Sequence, residues 1–224
     1  MTHFRNVLRV LAAVLVGTAV FGAPTRAQAG FAIQYSLDGG AFTTVNSGDT
    51  VDGLKITASS YGDPTVSLLD LHVTGVFKPG TVETHSIVIQ ATVTDLTTAP
   101  APQTLTTKFT AGTTTVNAAY TGQSWVDNGN AEFGIPGTIT TGALTPGDGI
   151  TPNFVGSFTG VPKYSLTTEI RIDITGTKDV NIGADIDNVI TPTPAPAGLV
   201  LMLSGLPVLG IARLRRRNRA APVA

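Results

Sequence analysis

"LTTEIRIDITG", residues 166–176, alternates without a break. Leu166, Thr168, Ile170, Ile172 and Ile174 fall on one side of an extended chain; Thr167, Glu169, Arg171 and Asp173 fall on the other. Successive side chains of a strand point to opposite faces, and β-branched isoleucine suits a pleated surface. The expectation is a strand whose isoleucine face is buried and whose Arg171 and Asp173 face water. A helix would scatter these isoleucines around its circumference.

The same period recurs outward from this stretch. "FAIQYS" sets Phe31, Ile33 and Tyr35 against polar neighbours, and Asp38-Gly39-Gly40 then turns the chain into a second short strand. "GLKITAS" aligns Leu54, Ile56 and Ala58, "LLDLHVTG" aligns Leu69, Leu71 and Val73, and "HSIVIQATVTDL" aligns Ile87, Ile89, Ala91 and Val93. "KDVNIGADID" aligns Val180, Ile182, Ala184 and Ile186. Turn residues separate these runs at 62–64, 78–80 and 146–149, and "TTAPAPQT" at 97–104 reads as an exposed connection. Threonine is abundant, and no stretch between the two ends holds a 3.6-residue period. Many short strands with polar turns predict an all-β body over residues 30–190, an antiparallel β-sandwich or jelly roll with a wet, threonine-rich outer face. A body of this length buries an adequate core without disulfides.

Charge is segregated. Eight of the 14 Lys and Arg residues lie in the two ends, which leaves six in the middle against all 15 acidic residues, a net charge of −9. Phosphate binding needs clustered Lys and Arg, so this body is not a nucleic-acid binder. The chain has no cysteine, which excludes disulfides, thiol catalysis and cysteine–zinc sites.

Residues 1–29 read as a secretory signal peptide, expected as a short helix. Arg5 and Arg9 precede an apolar run at 10–21, and Ala27-Gln28-Ala29 offers a small-residue cleavage site before Gly30. The C-terminal end, residues 191–219, combines three Pro steps, an uncharged run at 197–212 and an arginine cluster of Arg213, Arg215, Arg216, Arg217 and Arg219. Sixteen helical residues span about 24 Å, slightly under the roughly 30 Å hydrocarbon core, a mismatch that local thinning absorbs. The arginines would stay on the cytoplasmic side. Together the ends place the body outside the cytoplasm and a transmembrane helix behind it.

"PAPAGLVLMLSGLPVLGIARLRRR" resembles the PEP-CTERM sorting tail of bacterial exported proteins. Pro194-Ala195-Pro196 stands where that family carries Pro-Glu-Pro. The resemblance is confined to the tail. It implies an intermediate held in the inner membrane, processing near Pro194–Pro196 by an exosortase-type enzyme, and a final place at the cell surface or outside the cell, often alongside exopolysaccharide.

Candidate chemistry in the body is sparse. His72 and His85 read as strand residues opposite in phase to the apolar face, where two such residues could share a metal or simply be solvated. No Gly-x-Ser-x-Gly elbow is present, and Ser124 has no nearby histidine in sequence. "WVDNGNAEFG" carries Asp127, Asn128, Asn130 and Glu132, and "GADIDN" carries Asp185, Asp187 and Asn188; alternate oxygen ligands on a glycine-containing turn suit Ca²⁺, and the same residues are common in plain turns. Tyr120, Trp125 and Phe133 could stack sugars or fill the core. Glu132 and Glu169 are the carboxylates a glycosidase would use, with nothing in the sequence to bring them together. Without a dense acid, base or nucleophile constellation, the expectation is a non-catalytic surface or matrix protein without cofactor, Ca²⁺ aside. The alternatives are a carbohydrate-binding module and, further off, a polysaccharide hydrolase.

Overall fold

The computed structural model of the chain describes residues 30–63, 66–97, 102–112, 117–134 and 138–193. The signal peptide, the apolar run 197–212 and the Pro194–Pro196 motif lie outside the described residues. Among the described residues no helix is long and apolar enough to cross a membrane.

Twelve strands follow one another: β1 (Phe31–Leu37), β2 (Thr43–Val45), β3 (Thr50–Val51), β4 (Leu54–Asp63), β5 (Val66–Phe77), β6 (Thr84–Leu96), β7 (Pro102–Ala111), β8 (Ala118–Asp127), β9 (Ile139–Thr140), β10 (Phe154–Thr159), β11 (Tyr164–Thr175) and β12 (Val180–Pro192). They form two six-stranded sheets, ordered β2-β1-β6-β11-β8-β9 and β10-β7-β12-β5-β4-β3. Strand pairs in both sheets are antiparallel. The body is therefore all-β and built from two antiparallel sheets, as the alternation predicts. Asp38 and Gly39 take the left-handed backbone that closes the β1–β2 hairpin, and Ile33 pairs with Val45 across it.

Residues 166–175 of that stretch lie in β11, at the centre of the first sheet. Leu166, Thr168, Ile170, Ile172 and Ile174 are buried, while Arg171 is exposed and Asp173 only partly covered. Ile87, Ile89, Ala91 and Val93 of β6 continue that inner layer. Opposite them stand Leu54 and Ile56 of β4, Leu69, Leu71 and Val73 of β5, and Val180, Ile182, Ala184 and Ile186 of β12. Each fully buried aliphatic side chain of this kind contributes about 1.5–3 kcal/mol. The sheets touch closely where Gly122 of β8 meets Phe109 of β7. A Cβ at Gly122 would lie 2.8 Å from the Phe109 ring, so only glycine leaves room for that buried aromatic.

Two of the longer strands, β7 and β8, carry little of the alternation read from sequence. In them threonine, serine and glutamine occupy inner positions. Thr107 lies in the core and donates to Asn188 Oδ1 at 2.8 Å, and Ser124 bonds Thr168 at 3.0 Å. The threonine face is not uniformly wet either. Thr92 and Thr167, on the outer side of the first sheet, are buried and bond each other at 2.9 Å.

Candidate functional site

Among the described residues, the outer face of the second sheet carries a dense group of ionisable side chains. On β12 the inward set is Ala184, Ile186 and Asn188, so Asp185 and Asp187 project outward. Across the ladder Asp187 faces Asp70 of β5 on one side and Lys108 of β7 on the other, and Asp185 faces His72 and Thr110. Asp70, Asp185 and Asp187 each bring a carboxylate oxygen within 4.8 Å of the others. Asp70 Oδ1 is buried without a hydrogen-bond partner.

Such crowding must shift titration. Burial, then repulsion from Asp187 and Asp70, pushes the Asp185 carboxyl up to about 7, and the proton it keeps serves a hydrogen bond to Asp70. Burial and Asp70 also raise Asp187, against the opposing pull of Lys108 and His72. Among the described residues these three carboxylates form a group with the spacing to hold a divalent cation by oxygen ligands.

An apolar row runs beside the acids. In register across five strands stand Val155 (β10), Thr106 (β7), Val189 (β12), Leu68 (β5) and Tyr61 (β4). Tyr61 is 49% exposed and Leu68 37%. Leu68, Val189, Asp70, Asp187, Lys108 and Ser59 line a shallow depression of about 230 Å³.

The other sequence-predicted residues are placed differently. Asp185 and Asp187 sit within a strand and not on a turn, and Asn188 turns away from them into the core, where Nδ2 donates to Leu69 O at 3.2 Å. Asp127 uses both carboxylate oxygens to accept the N–H groups of Gly129 and Ala131, closing its own loop. Asn130 is anchored instead to Asp95, by its Oδ1 from the Asp95 N–H and its Nδ2 to Asp95 Oδ1. Asn128 Oδ1 is buried without a partner, and Glu132 is exposed. Of the four ligand candidates, Asp127 and Asn130 are thus already engaged in separate local bonds.

Tyr120 and Trp125 differ by an odd number of residues on β8 and point to opposite faces of the sheet. Tyr120 packs against the core and Trp125 is only 5% exposed, on the outer side, so neither offers a stacking surface with half-buried Phe133. Glu169 lies in an outer row between two amides. Gln90 Nε2 donates to Glu169 Oε2 at 2.6 Å, Gln34 in turn donates to Gln90, and Gln123 flanks Glu169 on β8. Glu132 belongs to the loop after β8.

The histidines are on different sheets. His72 projects outward from β5 beside Asp185. His85 shares the inward phase of Ile87 and not the opposite one, and it packs edge-on against Phe77 at 5.1 Å. The fold does not bring the pair together.

No family model matches the chain, and no curated protein matches it. Among solved structures, the chain is similar to the VP2 subviral particle protein of infectious bursal disease virus, with 16% identity over 70% of this chain and 36% of that one, at a TM-score of 0.33. It is also similar to the adhesin domain of Epf from Streptococcus pyogenes, with 9% identity over 74% and 60% and a TM-score of 0.33. A carbohydrate-binding module of the β-sandwich superfamily is 9% identical over 71% and 84%, at a TM-score of 0.26. The fold assignment rests on the chain's own two sheets.

Proposed function

We propose that the protein is an exported, non-catalytic component of the cell surface or extracellular matrix, held at the inner membrane by residues 197–212 and processed near Pro194–Pro196. One observation carries this reading. Among the described residues the strands of the sandwich all precede the Pro-x-Pro motif. β12, a central strand, ends at Pro192, and the Thr193 N–H donates to Pro102 O at 2.8 Å, one residue before Pro194. Cleavage at the motif would release a body with its core and last strand intact. Fractionation of cells expressing the full chain and a chain ending at Thr193 tests this. The full chain is expected in the membrane fraction and the shortened one in the soluble fraction outside the cytoplasm. An unchanged distribution refutes the anchor.

Glycan recognition by the body is the second reading, favoured by exposed Tyr61, which pairs across the β4–β5 ladder with Leu68, itself part of the depression lined by Ser59, Asp70, Asp187 and Lys108. An aromatic face beside hydrogen-bonding carboxylates suits a sugar's two surfaces. Binding on a glycan array that Tyr61→Ala abolishes is expected. A bound glycan insensitive to that change, or none bound, removes this reading.

A further inference from the structure

We propose that His85 is a proton-operated latch that holds the β5–β6 turn, residues 78–83, across one end of the sandwich. The ring is fixed at both nitrogens. Nδ1 lies 2.8 Å from Asp38 Oδ2 and Nε2 lies 3.0 Å from Pro79 O. Both partners are acceptors, a carboxylate and a backbone carbonyl. A neutral imidazole has one N–H and can serve only one of them; the imidazolium serves both. The side chain is 8% exposed, so water does not readily take the place of a lost partner.

The surroundings support the charged form. Asp38 is held in place independently, because its Oδ1 accepts the Ser86 N–H at 2.8 Å and its own N–H donates to Ser86 O at 2.7 Å. Those bonds also stabilise Asp38 at φ 54°, a left-handed conformation unfavourable for a non-glycine residue. The other charged groups near the ring are Asp173 of β11, which lines one depression with it, and Asp52 and Lys78, which line another. Asp173 is itself paired with Arg171, whose Nε donates to its carboxylate at 3.1 Å, and Asp52 accepts the Tyr35 hydroxyl, so Asp38 is the carboxylate that favours a cation at this position. The hydrogen bond to Asp38 raises the His85 titration, burial works against it, and the Pro79 carbonyl adds to the rise.

Loss of the proton has a defined consequence. The charge-assisted bond to Asp38 is the stronger of the two and keeps the remaining N–H on Nδ1. A lone pair on Nε2 then faces the Pro79 carbonyl oxygen, and the contact becomes repulsive. The turn carrying Pro79 loses its tie to β6. Val82 of that turn, half exposed, walls a depression of about 510 Å³ together with Asp38, Thr84 and Asp173, so release of the turn widens this opening. Because the folded value is raised, the latch is fully formed below the ordinary histidine range near 6.5 and is lost as pH rises through the higher folded value.

Hydrogen exchange on the full chain tests the latch, with wild type and His85→Gln compared at the same pH so that intrinsic exchange rates cancel. Near pH 6 the wild-type turn 78–84 is expected to exchange roughly tenfold more slowly than in His85→Gln, from the value of a charged hydrogen bond. Near pH 9 the two should converge. A ratio that does not change with pH overturns the proposal. Histidine ring NMR on wild type, assigned with His3→Gln and His72→Gln, provides a second test that needs no folded His85 variant. A His85 midpoint above that of free histidine is expected, and one at or below it overturns the proposal.

Discussion

Replacing Asp185 by asparagine should stabilise this protein at neutral and alkaline pH. Asp185 is crowded by Asp187 and Asp70 on the outer face of the second sheet, and its carboxyl titrates near 7 in the folded chain. An unfolded aspartate titrates near 3.9. Between these values the folded protein holds a proton that the unfolded chain has released. Stability from this site is therefore complete below about pH 4 and falls as pH rises through about 7. Three units correspond to about 4 kcal/mol as a ceiling, and solvent at this partly open position reduces it to about 1–2 kcal/mol. Asparagine keeps the donor toward Asp70 and removes the charge. The expected result is a melting point for Asp185→Asn about 3–8 °C above wild type near pH 8 and within about 1 °C of it near pH 4.5. Differential scanning calorimetry with a chelator present measures both. A variant that is less stable than wild type near pH 8, or whose advantage is the same at both pH values, would refute the crowding argument.

Other positions give sharper tests of packing. Ile172→Asp places an unpaired charge in the centre of the core and should cost several kcal/mol, enough to unfold much of the population, whereas Arg171→Asp, one residue away and exposed, should leave circular dichroism and melting nearly unchanged. Equal losses at both positions would contradict the register of β11. Gly122→Ala pushes a methyl group into the buried Phe109 ring and should lower stability by about 1–3 kcal/mol in denaturant titration. Restoration of that loss by Phe109→Leu would show that the ring is the obstacle, and a silent Gly122→Ala would contradict the sheet spacing.

The fold was legible wherever one face of a strand is aliphatic and the other is not. Ile170, Ile172 and Ile174 announce their strand, as do Leu69, Leu71 and Val73. β7 and β8 were not legible, because Thr107 and Ser124 occupy inner positions and satisfy their hydroxyls on neighbouring strands, which composition alone does not reveal. Sheet membership was hidden as well. β5 and β6 are consecutive and resemble each other, yet they enter different sheets, and that separates His72 from His85. Parity was readable and decides two cases. Tyr120 and Trp125 cannot share a face of one strand, and His85 lies in phase with Ile87. The acid group was half visible. Asp185 and Asp187 sit two apart on a plain alternating strand, but their third member, Asp70, comes from a strand 115 residues earlier and needs the β5–β12 register to meet them.

Topology is the most direct test of an exported body on a cytoplasmically anchored tail. The chain has no cysteine, so a single introduced thiol reports one position alone. Ser157→Cys is exposed on β10, and Asn218→Cys lies between Arg217 and Arg219. A membrane-impermeant maleimide applied to intact spheroplasts should label the Ser157→Cys protein at once and the Asn218→Cys protein only after lysis. Labelling of both before lysis, or of neither until lysis, would contradict the account.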